Sequence, residues 1–462
     1  MEVPETNDAP PPPFQAAASD ETPPSQARGT SDALPEYEPS KTSRSKRNII
    51  TERVFTLDNN KGKSWAFLKV NSRGSTHSTP SFFQGDLISG TVELDLEKTE
   101  SFLAITLEVR GESLAVGQEP IPFYSEVLPL WSSNSNHPGP TSPKLKGEYI
   151  WPYSVKLPDK IAVPSVPKGP TMDYSLPPIT ERASPAYLEY KIIVTFKRGL
   201  LRANSTLVTL FAYLPRITPL ACSSLRQLAY QENNTPPPPK IDPEGWHDLG
   251  SKSVTGIVFE TRQVDVSAVF FLAKPLSYTR GLFIPFSLTL SCPDTQALDL
   301  FTGRGSLDIK LNRSLSVGAT ASQAKVPGQR TDTTFHITVA EGIYWLADGN
   351  VLDSETRRLE GEIPLKPDLK PTFVFPNVTV KYTVTFALTV AGFVVLSNNG
   401  EAPVYEQEVE ITTLMPPGAV PRSRSVVVVN NEGQSSGNYD VSIGVLTQAN
   451  QRFIHLGHHG MG

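Results

Sequence analysis

Phe83 to Gly111 reads FQGDLISGTVELDLEKTESFLAITLEVRG, and its alternation decides the fold class. Ile88, Val92, Leu94 and Leu96 fall on one face of an extended chain, with Ser89, Thr91, Glu93 and Asp95 on the other. After a polar turn, Leu103, Ile105, Leu107 and Val109 resume the pattern against Thr106, Glu108 and Arg110. Side chains of a strand point alternately to its two faces, so period two over this length marks a sheet with one wet face. The segment is read as two strands of an antiparallel hairpin, buried on one side.

Similar runs lie on both sides of it. SWAFLKV opens the first at Ser64, and others follow at 121–130, 147–157, 187–198 and 205–214. Clusters such as SSNSNHPGPTSP separate them and cannot continue a ladder. Seven strand candidates without a long helical pattern predict a β-sandwich over residues 64–215. Residues 216–249 read as a linker with one short helix (SSLRQLAYQ) and a stiff Thr235-Pro236-Pro237-Pro238-Pro239 spacer. A second strand-rich region, 250–415, holds the cleanest alternation of all. There Val378, Val380, Tyr382, Val384, Phe386, Leu388 and Val390 interleave with Thr379, Lys381, Thr383, Thr385, Ala387 and Thr389. It echoes Tyr190, Ile192, Val194 and Phe196, as a second sandwich in tandem would. Residues 1–63, rich in Pro, Ser, Ala and acids, are predicted to be a disordered tail, and 416–462 a flexible one.

Composition excludes several classes of function. Net charge is −5 over 462 residues, which gives no general attraction to nucleic acid or anionic lipid. Prolines number 43, roughly twice ordinary usage, and nine of them fall in the first forty residues. Two cysteines, Cys222 and Cys292, imply no disulfide framework and suit a reducing compartment. The N-terminus lacks a basic and apolar leader pattern, and the longest apolar stretch, around 383–396, is too short to span a bilayer. The expectation is a cytoplasmic protein, in which the Asn-x-Ser/Thr matches at Asn204, Asn233, Asn312 and Asn377 are coincidental. No G-x-S-x-G, phosphate-binding glycine loop or H-E-x-x-H occurs, so an enzyme is not expected and no cofactor is implied. His455, His458 and His459 stand in a Gly-rich terminus without Cys or carboxylate neighbours, and no metal site is expected there.

Several segments together resemble the arrestin family. Gly85-Asp86, Ser89-Gly90, Val92 and Leu94, closing on Val109-Arg110-Gly111, look like its early strands. Gly147-Glu148-Tyr149-Ile150-Trp151-Pro152-Tyr153 with Leu157-Pro158 resembles its Gly-x-x-x-aromatic-Pro-aromatic strand, and Ala186 to Tyr190 its Tyr-centred strand. Phe211, Tyr213 and Pro215 resemble the exit of its first domain, and Ile284-Pro285-Phe286 and Pro371-Thr372-Phe373 its second. The resemblance covers most of 64–415 and is nearest to fungal-type α-arrestins. It implies an all-β protein of two tandem immunoglobulin-like sandwiches. It further implies a monomeric cytosolic adaptor, recruited to plasma membrane or endosomes, that links the cytoplasmic tails of transporters or receptors to a WW-domain HECT ubiquitin ligase. The alternative is an arrestin-fold scaffold in endosomal sorting without ligase recruitment, similar in role to the arrestin-fold subunit of retromer.

Such adaptors carry a Pro-Pro-x-Tyr motif. This chain has none, but Leu34-Pro35-Glu36-Tyr37 is the Leu-Pro-x-Tyr variant. A proline held in polyproline II packs between aromatic groove residues and the tyrosine two positions later fills a second pocket. Leu34, Pro35 and Tyr37 are therefore the candidate WW ligand. Lys41 to Arg47 (KTSRSKR) presents Ser43 and Ser45, and Arg422-Ser423-Arg424-Ser425 presents Ser423 and Ser425, as candidate phosphosites between basic residues. Read blandly, both are solvated flanks. Lys197, Arg198 and Arg202, at a predicted hairpin tip, are a candidate basic patch for an acidic or phosphorylated segment; a turn's ordinary charge is the plainer account.

Overall fold

The computed structural model describes residues 50–73, 79–115, 119–133, 143–165, 169–180, 186–199, 202–323, 334–347, 354–396 and 403–425. These residues are mostly strand, in sheets stacked as sandwich- or barrel-like layers. The first layers use β1 (Ile50–Asp58), β2 (Ser64–Arg73), β3 (Ser81–Phe83), β4 (Leu87–Ser101), β5 (Ala104–Ala115) and β6 (Ile121–Ser132). They continue with β7 (Lys144–Lys156), β8 (Lys160–Pro164), β9 (Thr171–Ser175), β10 (Ala186–Lys197) and β11 (Ser205–Leu214). All but β8 and β9 form one sheet, in the order β6-β5-β10-β11-β3-β2-β4-β7 with β1 on β2.

The expected hairpin is overturned. β4 pairs with β2 and β7, whereas β5 pairs with β6 and β10; the two consecutive strands share no ladder. The sheet curls so that its two halves face each other, joined by parallel β11–β3 pairing at Ala212 and Ser81. Ile88, Val92, Leu94 and Leu96 enter the core from one side, and Ile105, Leu107 and Val109 from the other. Trp65 of β2 meets Phe196 of β10 across that core, with ring centres 5.0 Å apart. Burial of one face explains the alternation of both strands without saying which neighbour each takes. Leu103, expected inside, is 49% exposed; Phe102 is buried instead, because the chain turns there to cross between the two halves.

Other boundaries move as well. The predicted tail of 1–63 gives way to strand at Ile50, because Thr51, Arg53, Phe55 and Leu57 turn inward against β2. The predicted linker contains the expected helix, α1 (Ser224–Gln231), but yields to β12 (Trp246–Val258) before residue 250. A six-stranded sheet and a five-stranded sheet follow. Their strands are β12, β13 (Arg262–Ala273), β14 (Ser277–Thr279), β15 (Phe283–Ser291), β16 (Leu307–Gly318) and β17 (Thr334–Glu341). The set ends with β18 (Ile343–Leu346), β19 (Thr356–Pro364), β20 (Asn377–Leu388), β21 (Phe393–Val395) and β22 (Tyr405–Thr412). The orders are β18-β19-β15-β13-β12-β21 and β14-β22-β20-β16-β17. Between them lies a second core in which Phe270 of β13 stacks on Phe386 of β20 at 5.6 Å. A further helix, α2 (Thr295–Phe301), was not predicted; Asp294 caps it by accepting from the Ala297 N–H at 3.0 Å.

The two cores are built on one plan. In each, a three-residue strand starting at serine, β3 at Ser81 and β14 at Ser277, pairs in parallel with the last long strand, β11 or β22. Four residues past each serine stands a glycine with positive φ, Gly85 (+85°) and Gly281 (+82°), and then a long strand into the core. That φ is one that residues with a Cβ adopt only under strain. Tyr190 and Tyr382 are both fully buried, and each hydroxyl donates to a carbonyl a dozen or so residues upstream, of Pro177 and Lys370 respectively. The cores also touch. Phe375, which precedes β20, packs into the first core against Phe123 (5.0 Å) and Tyr174 (5.8 Å).

Candidate interaction site

β19 has two unlike faces. Leu359 and Ile363 point into the second core, where a Cβ on Gly361 would strike the Phe286 ring. Arg358, Glu360 and Glu362 alternate onto the opposite face. Trp345 of β18 lies directly across from Glu360, so ring and carboxylate share that face. Its other wall comes from the segment before β12. There α1 is capped by Ser223, whose hydroxyl accepts from the Arg226 N–H and donates to Asp242. Arg226 is buried with its guanidinium 4.4 Å from the Trp246 ring centre, and the Trp246 indole N–H donates to the Pro237 carbonyl at 2.9 Å. The polyproline spacer is thus pinned. Between the walls is a cleft of about 200 Å³ lined by Tyr230, Trp246, Phe283, Trp345, Glu360 and Glu362. Burial pushes the Tyr230 hydroxyl up to about 12, so it remains a neutral donor at any ordinary pH.

The chain beyond β22 adds Arg422, Ser423 and Arg424 to the lining of this cleft. Thr413 and Leu414 donate their amides to the Ile217 carbonyl at 3.1 and 2.9 Å, and Thr279 donates to the Leu414 carbonyl at 2.6 Å. Further along, Glu362 gathers the segment Ser423–Ser425. The Ser423 hydroxyl donates to Glu362 Oε2, the Arg424 amide to Oε1 at 2.9 Å, and the Ser425 hydroxyl to Oε2 at 3.1 Å. The Arg424 guanidinium lies 5.4 Å from the Trp345 ring centre and 3.6 Å from Glu360 Oε2. A carboxylate holding several donors and a cation over an aromatic face are both favourable contacts. Glu362 is only 5% exposed beneath this cover. The sequence reading singled out Ser423 and Ser425 but missed Glu360, Glu362 and Trp345. Glu-Gly-Glu within an alternating strand was the one available signal, and it reports facing, not what covers the face.

The candidate basic patch is placed differently from a free cationic surface. Arg198 donates to Glu100 at 2.8 Å and lies 4.9 and 5.8 Å from the Phe102 and Trp65 ring centres, its side chain 15% exposed. Arg202 reaches the same Glu100 at 3.6 Å, and Lys197 is exposed. Asp58, Asp95 and Glu97 border the same hollow, so its charge is mixed. Arg198→Ala removes a cation over the buried Phe102 ring and the partly buried Trp65 ring and is expected to cost about 1–2 kcal/mol. Arg202→Ala should change stability by less than about 0.5 kcal/mol. Urea denaturation of both variants, followed by tryptophan emission, checks the contrast; equal effects would contradict it.

Burial raises the Cys222 and Cys292 thiols above their ordinary range, away from thiolate at neutral pH. Among the described residues there is no group of three His, Cys, Asp or Glu placed to hold a metal, and no helix long and apolar enough to cross a membrane. Leu34, Pro35, Tyr37, Ser43, Ser45 and His455 to His459 lie outside the described residues. Compared with known protein families and with curated proteins, the chain matches none.

Proposed function

We propose that the chain is an arrestin-like trafficking adaptor of two tandem immunoglobulin-like sandwiches. It bridges the cytoplasmic tail of a membrane protein and a WW-domain HECT ubiquitin ligase. The observation that carries this reading is the repeated plan of the two cores: short serine-led strand, glycine turn, long strand, and a buried tyrosine tied back to an upstream carbonyl. It supports a duplicated β module of the kind the arrestin-like segments imply. Such modules recognise other proteins through edges and faces, as sandwiches without a catalytic constellation commonly do. The ligase arm rests on Leu34, Pro35 and Tyr37 and on nothing else in the chain.

The test is capture of the full chain on immobilised WW domains of a HECT ligase, with Tyr37→Ala beside the natural chain. Removing an anchor that fills its own pocket is expected to weaken binding about ten- to a hundred-fold. Equal capture of the two would remove the ligase arm and leave the sorting scaffold as the surviving adaptor role.

A further inference from the structure

We propose that Ser423 and Ser425 are phosphoryl acceptors whose modification lifts the C-terminal segment off the Glu360–Glu362 face and opens the cleft behind it. The proposal is independent of the adaptor reading, since it rests only on what these residues touch. The modifying enzyme is a protein kinase that reads cationic residues, because Arg422 and Arg424 flank the two hydroxyls. The γ-phosphoryl of ATP passes to serine Oγ; the P–O bond to ADP breaks, a P–O bond to Oγ forms, and the hydroxyl proton is released.

Several features make the site a switch. Both hydroxyls donate to one carboxylate oxygen, Glu362 Oε2, and stand 2.8 Å from each other, so phosphate on either lands on the same partner. Phosphorylation turns a donor into a group of acceptors carrying a charge of about −1.5 to −2. Attraction at that point becomes repulsion. Glu362 cannot swing away into water, being 5% exposed in the middle of a strand paired on both sides, with Pro285 and Ile343 opposite it. Glu360 adds a second negative charge on the same face, its side chain 16% exposed, and the Arg358 guanidinium at 3.8 Å offsets it only in part. Arg424 brings a guanidinium from the segment to Glu360 at 3.6 Å, and a phosphate beside it competes for that cation. The target is also reachable: Arg422, Ser423 and Arg424 are exposed, and 413–425 contains no strand or helix that must first unfold.

Upstream, the anchorage of Thr413 and Leu414 to Ile217 and Thr279 carries no charge and is untouched by the modification. Release is therefore confined to Ser423–Ser425 and leaves the anchorage of Thr413 and Leu414 in place. It uncovers Trp345, Glu360 and Glu362 together.

The full chain is phosphorylated with a basic-directed kinase and ATP, the acceptor mapped by mass spectrometry, and amide hydrogen exchange followed at residues 423–425. The Arg424 and Ser425 amides both donate to Glu362 while docked. Exchange at these positions is expected to quicken at least ten-fold on modification, with Trp345 emission changing in parallel. In a Glu362→Gln chain, which keeps an acceptor but loses the charge, phosphorylation should quicken exchange much less than in the natural chain. A Ser423→Ala/Ser425→Ala chain should show no phosphate in this segment and no change. The proposal is overturned if phosphate does not reach either serine. It is equally overturned if exchange stays the same or slows after modification, as it would were Arg422 and Arg424 to recapture the phosphate.

Discussion

Gly90→Ala is expected to cost about 3 kcal/mol or more and to lower the melting temperature by about 10 °C. Gly90 lies in β4 between Val70 of β2 and Tyr153 of β7. A Cβ there would stand 1.9 Å from the Lys69 carbonyl oxygen and 2.9 Å from the Tyr153 hydroxyl. The first is backbone of the neighbouring strand and cannot rotate out of the way. The second is a side chain that crosses the bare glycine to donate to that same carbonyl at 3.0 Å. One methyl group therefore forces two strands apart and breaks a partly buried hydrogen bond. Gly85→Ala is the informative comparison. Its φ of +85° imposes strain, but no atom lies within 4 Å of the added Cβ, so about 1 kcal/mol is expected. Thermal melts of the two variants should rank Gly90 well above Gly85; the reverse order would refute the close-approach account.

Phe375→Ala is expected to cost about 3–5 kcal/mol and to change how the protein unfolds as well as when. The ring is 2% exposed and belongs to the first core, although it is carried on the chain of the second. Its edges meet Phe123 and Tyr174, and Val317 and Val378 enter the same core beside it. Truncation empties a site that both cores help to enclose. Scanning calorimetry should then show two separated transitions, the first core melting earlier, where the natural chain shows a closer pair or one. A single transition displaced as a whole would mean that the coupling runs through other residues.

The sequence disclosed facing far better than pairing. Ile88, Val92 and Leu94 were readable as inward because alternation follows directly from strand geometry, and they are inward. That β4 and β5 pair with distant strands instead of each other was not readable, since a strand's alternation is the same whichever neighbour it has. Leu103 was misplaced because period two carries no mark of where a strand ends and the chain crosses the core. Short strands escaped for want of length: β14 and β18 have three and four residues, too few for a pattern. The echo between Tyr190 and Tyr382 was visible as spacing, yet its physical content, a hydroxyl bonded to an upstream carbonyl, needed the fold. At the candidate site, Ser423 and Ser425 stood out by their arginines. Glu362, buried under them, looked like any surface acid.

The parallel seam between β3 and β11 bears on how this chain is made. Ser81 pairs with Ala212, and the inner strands β5 and β10 are joined across residues 104–197. Contacts so far apart in the chain are slow to form, because loop closure precedes any reward from burial. A nascent chain that has emerged only as far as residue 200 holds the apolar faces of β2, β4 and β5 with no β11 to close them. Its unpaired edges are then templates for a neighbouring chain. Synthesis of the first core thus has an exposed interval that ends only when residues 205–214 leave the ribosome, and holdase chaperones have most to protect during that interval.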